Sequence, residues 1–371
     1  MTEFGQHDAH HLHWRGNQLS NTGKEFNLWA ISDAHVGTDI RFGRRSLAEA
    51  ISQSEDPNTG FDWNIAVNLG DFSGNQTPPD DEEGRLVVDQ YAAAKHHRRE
   101  DFYDLIGNHD SSRHGEPLQW WFRKWIDPTG ESPAYSGVQN SRRKYPVNGT
   151  WEHYTFEVGN VLFLMLADRN DGPPPVGRGE RGGYPAGAIS AETFEWWQEQ
   201  VRENRDRIVI TCHHHMIKET TVASGLNEGC DNGYHGRMKD GAPQGSSFIY
   251  FVDNEPDSGR IEGFFDHTLE TSGKPAIDLW LGAHTHTHPD DRTGGRSHVE
   301  TKWGVNFVNV SALTRYHGVR NSIPMSRLLT FTEGSDELRV RCYLHTDQYA
   351  PQGFYPPSER VLRLRHAFTV G

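Results

Sequence analysis

Cysteine is scarce. Three residues, Cys212, Cys230 and Cys342, cannot build a disulfide framework in a chain of 371. The fold must then be held by burial, which a chain of this length can supply. Long apolar runs are missing too. The longest, Val161–Ala167, falls far short of the ~20 residues that cross a bilayer as a helix. The N-terminus is polar and rich in histidine, without the apolar stretch of a signal peptide, so a cytoplasmic protein with no membrane partner is expected. Positive charge is short. Lys+Arg 37 against Asp+Glu 51 leave −14, which disfavours a long duplex nucleic acid, because binders of that polyanion carry basic faces. Apolar residues make only 34%, yet aromatics at 11% exclude a disordered chain. What is abundant is histidine, at 22 residues. Metal chemistry uses histidine in a way that a purely structural protein does not.

Short apolar runs alternate with helical stretches, the pattern of an α/β fold. Phe26–Ser32, Trp63–Leu69, Phe102–Ile106, Arg207–Thr211 and Ile277–Leu281 read as strands buried on both faces. Thr155–Val158 and Val161–Leu166 flank Gly159-Asn160, a two-residue hairpin signal. Leu328–Thr332 and Glu337–Tyr343 flank a second, and Asn306–Val310 is a further strand. Helices are predicted over Ser46–Ser54, Arg85–His97, Pro117–Ile126 and Ala191–Arg205. The run His96-His97-Arg98-Arg99 then sits at a helix end, where positive charge suits the dipole. A polar segment over 1–24, carrying His7, His10, His11 and His13, precedes one elaborated domain over 25–371. The stretch 219–272, with a short strand at Phe248–Val252, reads as a long insertion that covers the pocket and sets substrate choice.

The residues that follow the buried strands carry the chemistry. They are Asp33-Ala34-His35, Gly70-Asp71, Gly107-Asn108-His109-Asp110, His213-His214-His215 and His284-Thr285-His286-Thr287-His288. Ligands of α/β sheets bind outside the carboxyl ends of strands, so these side chains are expected to converge. Alternation along an extended segment puts His284 and His286 on one side. Each motif alone is weak. The set, in this order and each at a strand end, points to a metal centre. Carboxylates, imidazoles and an amide oxygen suit Mn, Fe or Zn, whereas calcium takes oxygen alone.

This five-part pattern resembles the calcineurin-like metallophosphoesterase superfamily. The resemblance implies a four-layer αββα sandwich, two mixed β-sheets flanked by helices, with long loop insertions. It also implies two transition-metal ions. Asp33, His35 and His286 would hold one, Asn108, His213 and His284 the other, and Asp71 would bridge them. His214 in place of His213, and His286/His288 in place of His284/His286, stay open as alternative registers. A dinuclear centre of this kind provides a bridging hydroxide for in-line attack at phosphorus. His109 would assist the leaving group, and Asp110 would orient His109 and raise its basicity. GNHD ends in Asp, as in the cyclic-nucleotide phosphodiesterase and nuclease branches. The segment after Asp71, Phe72-Ser73-Gly74, lacks the tyrosine of purple acid phosphatases.

Around this site, Arg41 and Arg44 are candidates to clamp a phosphate, and His317 to line the pocket. Tyr234, His235 and Arg237 are the candidates from the insertion. The expected activity is hydrolysis of small phosphodiesters. Phosphomonoester hydrolysis and nuclease action are the alternatives on the same site. A non-catalytic scaffold on this fold is disfavoured, because no ligand of the pattern is missing.

Overall fold

A computed structural model describes residues 24–370 apart from 76, 114, 170–186, 227, 229–236, 240–241, 245–247, 252–258, 316–321 and 346–351. The N-terminal histidines, Cys230, Tyr234, His235 and His317 therefore lie outside the described residues. Arg237 falls on a short described strand, Arg237–Lys239.

Two seven-stranded mixed sheets make the centre of the fold. In the first, Glu25–Ile31 pairs in parallel with Ile65–Asn68, which pairs in parallel with Phe102–Asp104. On its other side it pairs antiparallel with Met325–Thr332, which pairs with Glu337–Leu344. In the second sheet, Val161–Leu166, Ile208–Cys212, Leu279–Gly282 and Val305–Asn309 run parallel, His153–Val158 and Val299–Lys302 flank them antiparallel, and Asn148–Gly149 pairs outside His153–Val158. Gly159-Asn160 makes the tight turn of the expected hairpin, with Val158 paired to Val161.

Alternation along the strands sorts side chains into layers. Leu28, Ala30, Ile65 and Val67 of the first sheet meet Phe163, Ile208, Ile210, Leu279 and Leu281 of the second in one core. The opposite faces turn outward to helices. Trp29 and Ala66 pack under Leu47, Ala50, Ile51 and Val87. Leu164, Val209 and Trp280 pack under Trp197, Val201, Phe264 and Phe265. The architecture is thus a four-layer αββα sandwich. Among the described residues, no helix is long and apolar enough to cross a membrane.

Local chemistry sets the helix ends. Ser46–Ser54 buries Leu47, Ala50 and Ile51 on one stripe. Ala191–Glu203 starts where Ser190 Oγ accepts the Thr193 N–H at 3.1 Å. The helix expected at Arg85–His97 runs instead from Asp81 to Tyr91. Asp80 caps it by accepting the N–H groups of Glu82 and Glu83, both at 3.0 Å. His96 and His97 are therefore not at a helix end. Their N–H groups donate to the Glu55 carboxylate, and the His97 ring stacks on Trp63 at 3.3 Å. The helix at Pro117–Ile126 is shorter, Trp120–Trp125. The stretch read as one insertion over 219–272 ends in a helix, Gly259–Ser272, that buries Ile261, Phe264, Phe265 and Thr268. That helical part of it is a crossover element of the second sheet, and Gly259 and Gly263 disguised its period. The short strand inside it is Tyr250–Phe251, paired with Ala188–Ile189.

One buried relay gives the fold a pH signature. Trp29 Nε1–H donates to Ser326 Oγ (2.9 Å), and the Ser326 hydroxyl donates to His345 Nε2 (2.8 Å). His345 Nδ1–H donates to Gln53 Oε1 at 2.8 Å. Burial, with the Arg44 charge behind it, lowers the His345 pKa to about 3. Below its ordinary value of about 6.5 the unfolded chain gains a proton that the folded chain refuses. Stability is therefore lost as pH falls from about 6.5 toward 3, by on the order of 5 kcal/mol from this group. His345→Gln is expected to flatten the fall of melting temperature across that window. A slope equal to that of the wild type would contradict the assignment.

Candidate metal centre

The carboxyl ends of the parallel strands meet at one end of the sandwich. The first two loops are zipped together, with Asp33 N–H donating to Gly70 O (2.9 Å), His35 N–H to Asp71 O (3.1 Å) and Val36 N–H to Phe72 O (2.8 Å). In the second sheet the loops after Cys212 and Gly282 are joined by the Ala283 N–H on His214 O at 2.8 Å. Several bonds cross between the sheets. His214 Nδ1–H donates to Leu69 O at 2.7 Å, and His284 N–H donates to Asp33 Oδ2 at 3.3 Å.

Backbone strain concentrates here. Asp33 (φ 53°), His35 (φ 43°), Asp71 (φ 55°) and His284 (φ 66°) are all left-handed without being glycine. Such conformations are costly and gather at functional sites. The glycines of the G-D and G-N pairs have a steric reason. A Cβ on Gly70 would lie 2.3 Å from Gly107 N, and one on Gly107 would lie 2.3 Å from Asp71 Oδ1. The two loops pass back to back, with room for no side chain between them.

Two buried carboxylates form the axis of the site. Asp33 Oδ1 lies 2.8 Å from His286 Nε2, 3.5 Å from His35 Nε2 and 3.9 Å from His214 Nε2. Asp71 Oδ2 lies 3.2 Å from His214 Nε2 and 3.7 Å from His35 Nε2. His284 Nδ1 is 3.3 Å from His214 Nε2. In four overlapping trios the donor atoms come within 4.8 Å of one another: Asp33/His35/His286, Asp33/Asp71/His214, His35/Asp71/His109 and His214/His215/His284. Asn108 lies buried on the single turn Asn108–Asp110 beside them. His109 donates its N–H to Asp71 Oδ1 (2.8 Å), and its ring meets the His35 ring edge-on at 4.8 Å.

The charge balance bears on what the site could hold. Burial opposes ionisation of Asp33, yet His214 and His286 hold its pKa well below the usual carboxylate value. Asp71 is lowered as well, by His214 and His109 against the same burial. The cost falls on His214. Burial works against its charge, but Asp71 and Asp33 outweigh it and raise its pKa to about 10. Two carboxylates out of water demand positive charge between them. A cation there would take the place of that proton, so the donor set fits a metal ion.

Several expectations are corrected by position. His214, not His213, faces the carboxylates. Ile208, Ile210 and Cys212 point into the inner core, and residue 214 continues that parity. His213 falls on the opposite side beside Trp280, with Nδ1 accepting the His215 N–H at 2.9 Å. Burial, then the His214 charge, lowers its pKa to about 3. His284 and His286 are at the centre, whereas His288 is half-buried and its Nδ1 accepts the Asp290 N–H at 3.1 Å. Asp110 is not the orienting partner of His109. Its Oδ2 accepts the N–H groups of Asp71 (2.8 Å) and Gly107 (2.9 Å), and its Oδ1 that of Ser73 (2.9 Å). It buttresses two ligand loops, and burial followed by the Asp71 charge raises its pKa to about 8. His109 Nδ1 instead meets the Asn75 carbonyl at 3.1 Å. Arg44 is engaged by Glu49 (3.1 Å) and Asp39 (3.9 Å), which removes it as a clamp. Arg41 is exposed and bonds Asn75 Oδ1.

Two residues at the site were not expected. Asp168 Oδ2 lies 3.4 Å from His215 Nδ1, and the His215 ring lies 4.0 Å from that of His284. Asp168 follows the strand Val161–Leu166, so the strand-end rule would have found it. His215 was hidden among three adjacent histidines.

No family model and no curated protein matches the chain. Among solved structures, Vacuolar Protein Sorting 29 from Cryptosporidium parvum is similar over 91% of this chain and 98% of its own, at 12% identity and a TM-score of 0.32. A single mutant of Vps29 from Entamoeba histolytica gives the same coverages and identity with a TM-score of 0.29. At such overlap neither carries an argument about this chain.

Proposed function

We propose that the protein is a dinuclear metal-dependent hydrolase of phosphate esters, acting on small phosphodiesters. The observation that carries this reading is the buried pair Asp33 and Asp71 of the first sheet, shared among His35 and, from the second sheet, His214 and His286. Asp33, His35 and His286 would hold one ion, Asn108, His214 and His284 the other, and Asp71 lies between the two sets. Mn, Fe or Zn suits these donors. Two such ions, when bound, supply charge to neutralise a phosphate and a water acidic enough to serve as nucleophile.

The chain's own groups then divide the remaining work. The Asn75 carbonyl accepts from His109 Nδ1, so that nitrogen carries the proton of the neutral ring. Nε2 would then hold and deliver a second proton to the leaving oxygen. Arg41, exposed and bonded to Asn75 Oδ1, would be the guanidinium offered to a phosphate oxygen. With Arg44 engaged by Glu49 and Asp39, that pair offers one guanidinium. One suits a monoanionic diester better than a dianionic monoester. The net charge of −14 further favours a small anion over a long polyanion.

Elemental analysis of the purified chain is expected to find close to two transition-metal ions; one or none would sink the reading. With Mn, Zn or Fe supplied in turn, a bis-aryl phosphate should be cleaved about tenfold faster than an aryl monophosphate, a preference of ~1.4 kcal/mol. Equal rates on the two would remove the diester preference and leave the esterase.

A further inference from the structure

Glu83 lies outside every motif, on the helix Asp81–Tyr91, and is buried at 3% exposure. Its carboxylate accepts four hydrogen bonds. Oε1 takes the N–H of Gly37 (3.0 Å) and that of Gly74 (2.9 Å). Oε2 takes the Ser73 hydroxyl (3.1 Å) and the Asn75 side-chain amide (3.1 Å). Gly37 follows His35 by two residues, and Ser73, Gly74 and Asn75 follow Asp71. One carboxylate therefore grips the two loops that carry three of the candidate ligands. The fit is close, since a Cβ on Gly37 would lie 2.2 Å from Glu83 Oε1.

Asn75 joins this grip to the reacting end of the site. Its Nδ2 donates to Glu83, its Oδ1 accepts from Arg41, and its main-chain oxygen faces His109 Nδ1. We propose that Glu83 is a positioning residue for His109, acting through Asn75. Fixing the Asn75 amide fixes where its carbonyl points. That carbonyl selects the His109 tautomer and aims Nε2 at the leaving oxygen. An ordinary surface helix acid would be solvated, and a carboxylate is out of water only where donors replace its hydration. Here all four donors belong to the segments that follow His35 and Asp71. This proposal rests on the esterase reading above, and its test separates the two.

Glu83→Gln keeps the shape but turns one oxygen into an NH₂ group. With the remaining oxygen on the two backbone N–H groups, that NH₂ faces the Asn75 amide donor to donor. The substrates are aryl methyl phosphates with strongly and weakly acidic phenols as leaving groups. Leaving-group assistance is typically worth 10²–10⁴-fold, so partial loss of aim should lower kcat about 30-fold for the weakly acidic phenol and less than about threefold for the nitrophenol. KM should stay within about twofold, and metal content should be unchanged. Glu82→Gln, on the exposed neighbour, is the control. A merely structural Glu83 would lower all substrates alike or shed metal, and either result overturns the proposal, as does no change.

Asn75→Ala leaves both backbone bonds to Glu83 intact and should reproduce the same leaving-group pattern. The double variant should be no worse than the poorer single one, and additive losses would overturn the link through Asn75. Should the wild type cleave no phosphate ester, the esterase reading fails while the clamp remains testable. In nitrogen-15 spectra of the histidines, Glu83→Gln or Asn75→Ala should shift the hydrogen-bonded Nδ1 signal of His109, and Glu82→Gln should not. An unmoved signal overturns the clamp whatever the activity.

Discussion

Asp71→Ala is expected to lose both metal ions and all measurable turnover. The Asp71 side chain touches both candidate ligand sets and the His109 turn. Its Oδ2 lies between His214 and His35, and its Oδ1 holds the His109 N–H. It is also the largest of the charges that raise the His214 pKa to about 10. Without it, each donor set loses a shared anionic ligand, and His109 loses its backbone anchor. The drop in turnover should exceed about 10⁴-fold, beyond what loss of one acid–base group alone explains. Asp71→Asn preserves volume and the oxygen that holds His109. It separates the two roles, because it should keep the His109 turn in place while metal affinity still falls with the lost charge. Metal analysis by emission spectroscopy, alongside turnover on a bis-aryl phosphate, reads both. A variant that retains two ions would show that Asp71 is not between them.

His109→Ala should do nearly the opposite. Metal content should stay at the wild-type level, because the ring lies at the edge of the site against His35. Turnover should fall by about 10²–10⁴-fold, the usual worth of a positioned general acid. The loss should grow as the leaving phenol becomes less acidic, since a strongly acidic phenol leaves without a proton. Loss of metal in this variant would make His109 a ligand instead, a role that its place in the trio His35/Asp71/His109 would then explain.

The strand ends were legible because buried parallel strands are written as unbroken apolar runs. Any Asp, Asn or His that follows such a run is conspicuous. The His284/His286 spacing was legible for the same reason. The choice between His213 and His214 was harder. It depends on which face of Ile208–Cys212 looks inward, and Ile208, Val209 and Ile210 are apolar on both. Asp110 misled because its neighbour in sequence is His109, while its partners are the N–H groups of Asp71, Ser73 and Gly107. Two of those come from another loop, at a distance in sequence that no local pattern encodes. Glu83 was invisible for a related reason. On the helix Asp81–Tyr91 it is one acid in an acidic first turn, and only the path of two loops over it takes it out of water. The helix Gly259–Ser272 was missed through composition, its period being obscured by glycine.

The bonds that cross between the sheets at this end, among them those from His214 to Leu69 and from His284 to Asp33, have a mechanical consequence. The sandwich cannot part there without breaking the grip on whatever the carboxylates hold. Bound cations would act as rivets through both plates, adding ~4 kcal/mol when free metal stands a thousandfold above its Kd. The end of the molecule that is most strained in its backbone would then be the last to open.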